Sequence, residues 1–204
     1  MLKCKSDNLQ SNTYLIAGLG NPGKTYRENR HNIGFMVIDS LAKQLDIQMK
    51  RVKSKAIIGT GKLDDKSIIL AKPQTYMNAS GESISPLLRY YKVPLQNLII
   101  IHDDLDIAFG TIRIRPSGGT GGQKGMKSIV SKLGSQDISR IRIGIGRPPG
   151  RMDPADYVLH NFNSDQIALK DEILDKASQA VITFINEGLE QAMNAHNGDL
   201  TKES

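Results

Sequence analysis

The side chains able to do proton chemistry are few. The chain has four histidines: His31, His102, His160 and His196. His31 stands in Arg30-His-Asn-Ile-Gly34, at the expected entrance of a helix. A lone histidine there is more often a surface residue than a catalyst. Two features weigh the other way. It follows a polar, turn-rich loop led by Asn21, and a single carboxylate partner would make it an oriented general base. Carboxylates cluster in His102-Asp-Asp-Leu-Asp106, directly after the apolar run Leu98–Ile101. An Asp at the C-terminal end of a buried strand points into the same region as the loop after the first strand. The cluster could instead cap a turn, or hold a divalent metal of the kind that accompanies a nucleotide. No phosphate loop accompanies it, so no metal is expected. Asn78, in Gln74-Thr-Tyr-Met-Asn-Ala-Ser80, reads alone as a helix N-cap. In a cleft, an amide both donates and accepts, as recognition of a peptide group requires. Asn21, His31, Asn78 and Asp103 thus offer one base, one orienting acid and two amides. No serine lies in a G-x-S-x-G elbow. The set suits hydrolysis by an activated water.

Gly18-Leu-Gly20-Asn-Pro-Gly23 follows a strand and matches G-x-G-x-x-G. A dinucleotide site would need a helix to begin within the motif and meet the pyrophosphate. Pro22 and the non-amphipathic Lys24–Arg30 argue against one. The motif reads as a tight turn, one that can aim Asn21 into a site at the strand's end.

These residues need a scaffold that brings them together. Short apolar runs predict strands at Tyr14–Leu19, Ala56–Ile58, Ser67–Ala71 and Leu98–Ile101. Alternating apolar and basic residues predict strands at Thr111–Arg115 and Arg140–Ile145. Helical spacing predicts helices at Ile33–Leu45, Ser80–Tyr91 and Met126–Leu133, the last after Gly118–Gly122 and stopped by Gly134. Asp153-Pro154 is a helix start. Ser164–Asn194 is one long amphipathic stretch that Gly188 can interrupt. Interleaved strands and helices make this an α/β chain: one domain, a mixed central β-sheet flanked by helices, and a long C-terminal helix. Residues 1–13 read as a polar extension, 14–194 as the domain, and 195–204 as a polar tail.

With 204 residues, 39% hydrophobic and 24% charged, the composition excludes a fibrous or wholly disordered chain. Apolar runs of four residues fall far short of the ~20 that span a bilayer. Residues 1–13 have no apolar core, so no secretory signal is expected, and with no arginine they make a poor transit peptide. Cys4 is the only cysteine, which excludes a disulfide framework and fits a reducing compartment. The net charge is +6 and is unevenly spread. Residues 107–151 carry nine basic residues against the single acid Asp137, while the chain from 152 onward carries three basic and ten acidic. The basic segment is either a solvated surface or a patch that meets phosphates.

Taken in order, several segments are recognisable: Leu15-Ile-Ala-Gly-Leu-Gly-Asn-Pro-Gly23, Tyr26, Arg30-His-Asn-Ile-Gly34, Lys72-Pro-Gln-Thr-Tyr-Met-Asn-Ala-Ser-Gly81, His102-Asp-Asp-Leu-Asp106, Gly121-Gly-Gln-Lys-Gly-Met126 and Arg140-Ile-Arg-Ile-Gly-Ile-Gly146. Together they resemble bacterial-type peptidyl-tRNA hydrolase over roughly residues 14–190. The resemblance implies a single α/β domain that cleaves the ester between a peptide and the 3′-terminal ribose of tRNA. It implies a cytoplasmic monomer with no cofactor and no obligate protein partner. By position, His31 matches the general base, Asp103 the acid that orients it, and Asn21 the amide that tells blocked from free aminoacyl ends. Tyr26, Tyr76 and Asn78 match contacts to the aminoacyl and peptide end. Arg115 and Arg142 match positions that hold the terminal phosphate region of tRNA. The family usually carries His-Asn where this chain has Gln123-Lys124. Lys124 can donate to a peptide carbonyl or a phosphate but cannot accept. A non-enzymatic RNA-binding relative, of the intron-splicing type, is the alternative on the same scaffold. The confined basic segment and the lack of a targeting peptide favour the enzyme.

Overall fold

The computed structural model describes residues 12–202. Eight strands form one sheet in the order β2-β3-β4-β1-β5-β7-β6-β8. The centre is parallel: β1 (Thr13–Gly18) lies between β4 (Lys66–Pro73) and β5 (Leu98–Asp104), and β5 pairs with β7 (Ser139–Gly144). Both edges are antiparallel, with β2 (Arg51–Lys53) and β3 (Ala56–Leu63) on one side, β6 (Thr111–Arg115) and β8 (Gly198–Asp199) on the other. The sheet is therefore mixed, as the hairpin spacings and basic alternating strands predict.

Each face of the central strands is apolar, because helices cover both. Ile16, Ile99, Ile101, Ile141 and Ile143 pack with residues of α1 (Ile33–Gln44) and α5 (Ile167–Glu187). Leu15, Ala17, Leu98 and Ile100 pack on the opposite face with α2 (Gly81–Tyr91) and α3 (Lys124–Leu133). The helix after β1 and the helix after β4 thus lie on opposite faces. Their connecting loops part at the C-terminal edge of the parallel strands, where open α/β sheets hold their ligands.

Several boundaries differ from the sequence expectation for physical reasons. β5 runs on through Asp104, because His102–Asp104 keep pairing with Arg142–Gly144 of β7. The acidic cluster therefore begins on the strand. β2 is a short, largely exposed edge strand with no apolar alternation to betray it. Gly188, at φ 95°, breaks the long C-terminal stretch into α5 and α6 (Leu189–His196). Residues 195–202, in the stretch expected to be a polar tail, are held against the domain. His196 ends α6, Gly198 and Asp199 pair with Ile112 and Thr111 of β6, and the Asn197 carboxamide accepts from the Ile114 N–H. Backbone pairing needs no apolar side chain, so composition alone could not reveal it. Of the expected extension, residues 1–11 lie outside the described residues, while Thr13 already belongs to β1.

Candidate active site

The His31 turn is held against the sheet by backbone contact. His31 lies in a 3-10 turn, Arg30–Asn32, that runs into α1. A side chain at Gly34 would stand 2.5 Å from the Ile101 carbonyl oxygen and 2.5 Å from the Leu19 nitrogen. Only glycine lets the start of α1 approach β1 and β5 this closely. That approach brings His31 to the C-terminal end of β5, where its Nδ1 lies 2.7 Å from Asp103 Oδ2. Asp103 is 3% exposed, and the His31 side chain 13%. The carboxylate accepts from the Nδ1–H, which places the lone pair of the neutral imidazole on Nε2.

A second layer of contacts closes a ring around this pair. Asp103 Oδ1 accepts from Gln123 Nε2 at 3.2 Å. The same nitrogen lies 3.1 Å from Met77 Sδ. Met77 N–H donates to Asn21 Oδ1 at 2.9 Å. Asn21 N–H donates to Asn32 Oδ1, and Asn32 Nδ2 returns a hydrogen bond to the Asn21 carbonyl. Asn32 is the chain neighbour of His31, so the ring returns to its start. Asn21 uses its side-chain oxygen, Oδ1, on Met77, which leaves its Nδ2 hydrogens for a ligand. The Gly18–Gly23 loop runs into a 3-10 turn, Lys24–Tyr26, and serves to aim Asn21. Asn21 and Asn32 also line, with Phe35, Lys72 and Gln74, an open cleft of about 1050 Å³.

The remaining substrate candidates flank this centre. Tyr26 is half-buried on the turn after Gly23, while Tyr76, Asn78 and Lys124 are exposed. Asn78 and Lys124 line one depression together with Lys127 and Lys132. Asn78 is not the helix cap that its sequence position suggests; it sits inside a 3-10 turn, Met77–Ala79, ahead of α2.

Arg115 and Arg142 lie apart from this pair, on the other face of the sheet. Side chains alternate along β5, so Asp103 points to His31 while His102 and Asp104 point the other way. His102 pairs with Arg142 in register, and across β6 and β7 Arg113 opposes Arg142 and Arg115 opposes Arg140. The four guanidiniums therefore share a face, as alternation predicts. Opposed like charges are destabilising unless compensated. Arg142 Nε donates to Asp104 Oδ2 at 2.7 Å. Arg140 is turned inward and donates to the carbonyls of Ile138, Gly119 and Gln136, so its guanidinium braces the glycine loop. Arg115 stays exposed. With His102, Asp104, Ser117 and Gly118–Gly121, Arg115, Arg140 and Arg142 line a pocket of about 330 Å³. Burial pushes the His102 imidazole below its ordinary range, and its Nδ1–H donates to the Asp103 carbonyl.

Arg30 makes a set of contacts beside His31 that sequence patterning does not show. Its buried guanidinium donates to the carbonyls of His160 and Asn161 and to Gln166 Oε1, and stacks 4.4 Å over the Tyr157 ring. Beside it, His31 N–H donates to the Val158 carbonyl at 2.8 Å. The segment after α4 (Pro154–Tyr157) is thereby tied to the turn that carries His31.

Known proteins resemble this chain closely in sequence and in fold. The sequence model of the family described as Peptidyl-tRNA hydrolase matches residues 15–204. The chain is 47% identical over 185 residues to a peptidyl-tRNA hydrolase of Caldanaerobacter subterraneus subsp. tengcongensis, covering 91% of this chain and all of that protein. It is 49% identical over 181 residues to one of Mycolicibacterium smegmatis, covering 88% and 95%. The crystal structure of peptidyl-tRNA hydrolase from Acinetobacter baumannii superposes with a TM-score of 0.87 at 37% identity, covering 93% of this chain and 97% of that one. With a family match across nearly the whole described chain, and relatives near half-identical over 95% or more of their length, the chain belongs to the peptidyl-tRNA hydrolase family.

Proposed function

We propose that this chain hydrolyses the ester of peptidyl-tRNA with His31 as general base. The observation that carries the assignment is the 2.7 Å hydrogen bond between His31 Nδ1 and the buried Asp103. It fixes the tautomer that leaves Nε2 free to take a proton from water. The water's oxygen attacks the ester carbonyl as its proton passes to Nε2. Asp103 then faces an imidazolium, which its charge stabilises. Collapse of the tetrahedral species breaks the bond to the ribose oxygen, which takes the proton back from the imidazolium. Asn21 Nδ2 and Asn78 are the amide donors at hand for the developing oxyanion and for the peptide group. Tyr26, Tyr76 and Lys124 flank the peptide and aminoacyl end.

The pocket of Arg115 and Arg142 takes the terminal phosphate region of the tRNA. Guanidinium forks suit phosphate because they donate two hydrogen bonds at once. The glycine loop allows close approach, since a side chain at Gly118, Gly119 or Gly121 would meet nothing within 4 Å. No helix among the described residues is long and apolar enough to cross a membrane. The whole account needs one copy of the chain and no cofactor.

Asp103→Asn tests the role of the acid. The amide can still touch the imidazole but cannot stabilise its charged form, so kcat falls by less than in His31→Ala while KM holds. Turnover that requires Mg²⁺ and vanishes with a chelator would show that the acidic cluster works through a metal, and would overturn the assignment.

A further inference from the structure

We infer that Gln123 is a positioning residue of the reaction: fixed by the helix it caps, its carboxamide holds the second oxygen of Asp103 and so sets the carboxylate that orients His31. The inference rests on the His31–Asp103 reading above.

Asp103 is nearly fully buried, and a buried carboxylate oxygen without a donor is costly. Oδ2 takes the His31 hydrogen bond, and the side-chain donor for Oδ1 is Gln123 Nε2. Without it, the carboxylate would have a bare oxygen in the interior and freedom to rotate toward another donor.

The orientation of the amide is not arbitrary. A glutamine's oxygen and nitrogen are alike in shape, so its partners decide which way it faces. Gln123 is the N-cap of α3, and its Oε1 accepts from the Met126 N–H at 2.8 Å. Helix N-termini offer only donors, so the oxygen must face the helix and the NH₂ must face Asp103. The fit is tight as well: a side chain at Gly125 would meet Met77 Sδ at 2.7 Å and Gln123 Oε1 at 3.0 Å.

The choice of residue points the same way. Short Ser, Thr, Asp and Asn are the preferred N-caps. Glutamine is a weaker cap, but it reaches further, and here the added reach ends on Asp103. Capping alone does not account for a glutamine at this position. Lys124 does not substitute for it, being exposed on the depression beside Asn78.

The test compares Gln123→Leu, Gln123→His and Gln123→Glu with wild type and His31→Ala. The readouts are kcat and KM on peptidyl-tRNA, the pH profile of kcat/KM, and thermal unfolding. Gln123→Leu removes donor and cap, and kcat falls about tenfold with KM nearly unchanged, as misplacement of a catalytic group produces. Gln123→His returns an N–H donor and recovers turnover relative to the leucine variant. Gln123→Glu keeps the acceptor for the helix but replaces the donor with a second carboxylate beside the buried Asp103. One carboxyl of the pair then titrates at raised pH, the pH profile of kcat/KM changes, and thermal stability falls although the cap remains. If Gln123→Leu unfolds at lower temperature but keeps wild-type kcat and pH profile while His31→Ala is inactive, Gln123 is only a cap and the inference falls. If His31→Ala itself retains turnover, the His31 reading has failed instead.

Discussion

Removing the Arg30 guanidinium is expected to damage both stability and turnover, and the size of each loss follows from its contacts. Arg30 makes three hydrogen bonds, to the His160 carbonyl, the Asn161 carbonyl and Gln166 Oε1. It also stacks on Tyr157 and lies 5.3 Å from the centre of the Phe162 ring. Hydrogen bonds from a charged donor are individually worth about 1.5–3 kcal/mol. The His160 and Asn161 acceptors belong to exposed residues and can rehydrate, which lowers the sum. Arg30 itself has no carboxylate partner among the described residues, so deleting it also relieves a desolvation cost. Together these give about 3 kcal/mol for Arg30→Ala. For a domain of this size that is a fall of about 6–12 °C in Tm. Arg30→Met fills the space without the charge and loses less. The segment that Arg30 secures also accepts the His31 N–H through Val158, so loosening it frees the turn that carries the proposed base. At 20 °C, where Arg30→Ala remains folded, kcat falls about tenfold. Circular dichroism gives the Tm, and release of labelled peptide from peptidyl-tRNA gives kcat. A Tm within about 2 °C of wild type would refute the energetic reasoning. A large fall in Tm with kcat unchanged would show that the segment stabilises the fold without positioning His31.

Two other expectations follow from the opposite face of the sheet. Arg142→Ala raises KM with little change in kcat and lowers the salt slope of binding by about 0.7–0.9, the share of one phosphate contact. It also leaves the Asp104 carboxylate facing the pocket, so adding Asp104→Asn recovers part of the loss, and a short ester lacking the tRNA body is indifferent to both changes. Stability decreases as pH falls through about 6.5, because His102 and His196 are held below their ordinary values in the folded chain while the unfolded chain takes up protons there. His102→Gln makes that decline shallower in thermal scans between pH 7 and pH 5, and an unchanged slope would remove His102 from the account.

What the sequence made legible was set by local chemistry. Leu98–Ile101 announces a central strand because a strand covered on both faces must be apolar throughout. Gly134 marks the end of α3 because the left-handed backbone there, at φ 69°, suits glycine. Arg113, Arg115, Arg140 and Arg142 fall on one face because strand side chains alternate. The interior turn of Arg140 was not legible, since its acceptors are carbonyls presented only once the glycine loop has folded back. Arg30 binds groups about 130 positions away, and Gln123 meets Asp103 across 20. Neither partnership leaves a periodic or compositional trace. His31 and Asp103, 72 positions apart, were paired only because the one opens a helix after β1 and the other closes β5, and parallel strands bring those ends together.

The most direct measurement is single-turnover hydrolysis of peptidyl-tRNA by His31→Ala, set beside its affinity for the same substrate. The account predicts that the rate falls by about 10²–10⁴-fold, the usual worth of a general base, while affinity stays near wild type, because the imidazole acts on water and the arginine pocket holds the tRNA. Equal loss of affinity and rate would make His31 a structural residue, and an undiminished rate would place the base elsewhere.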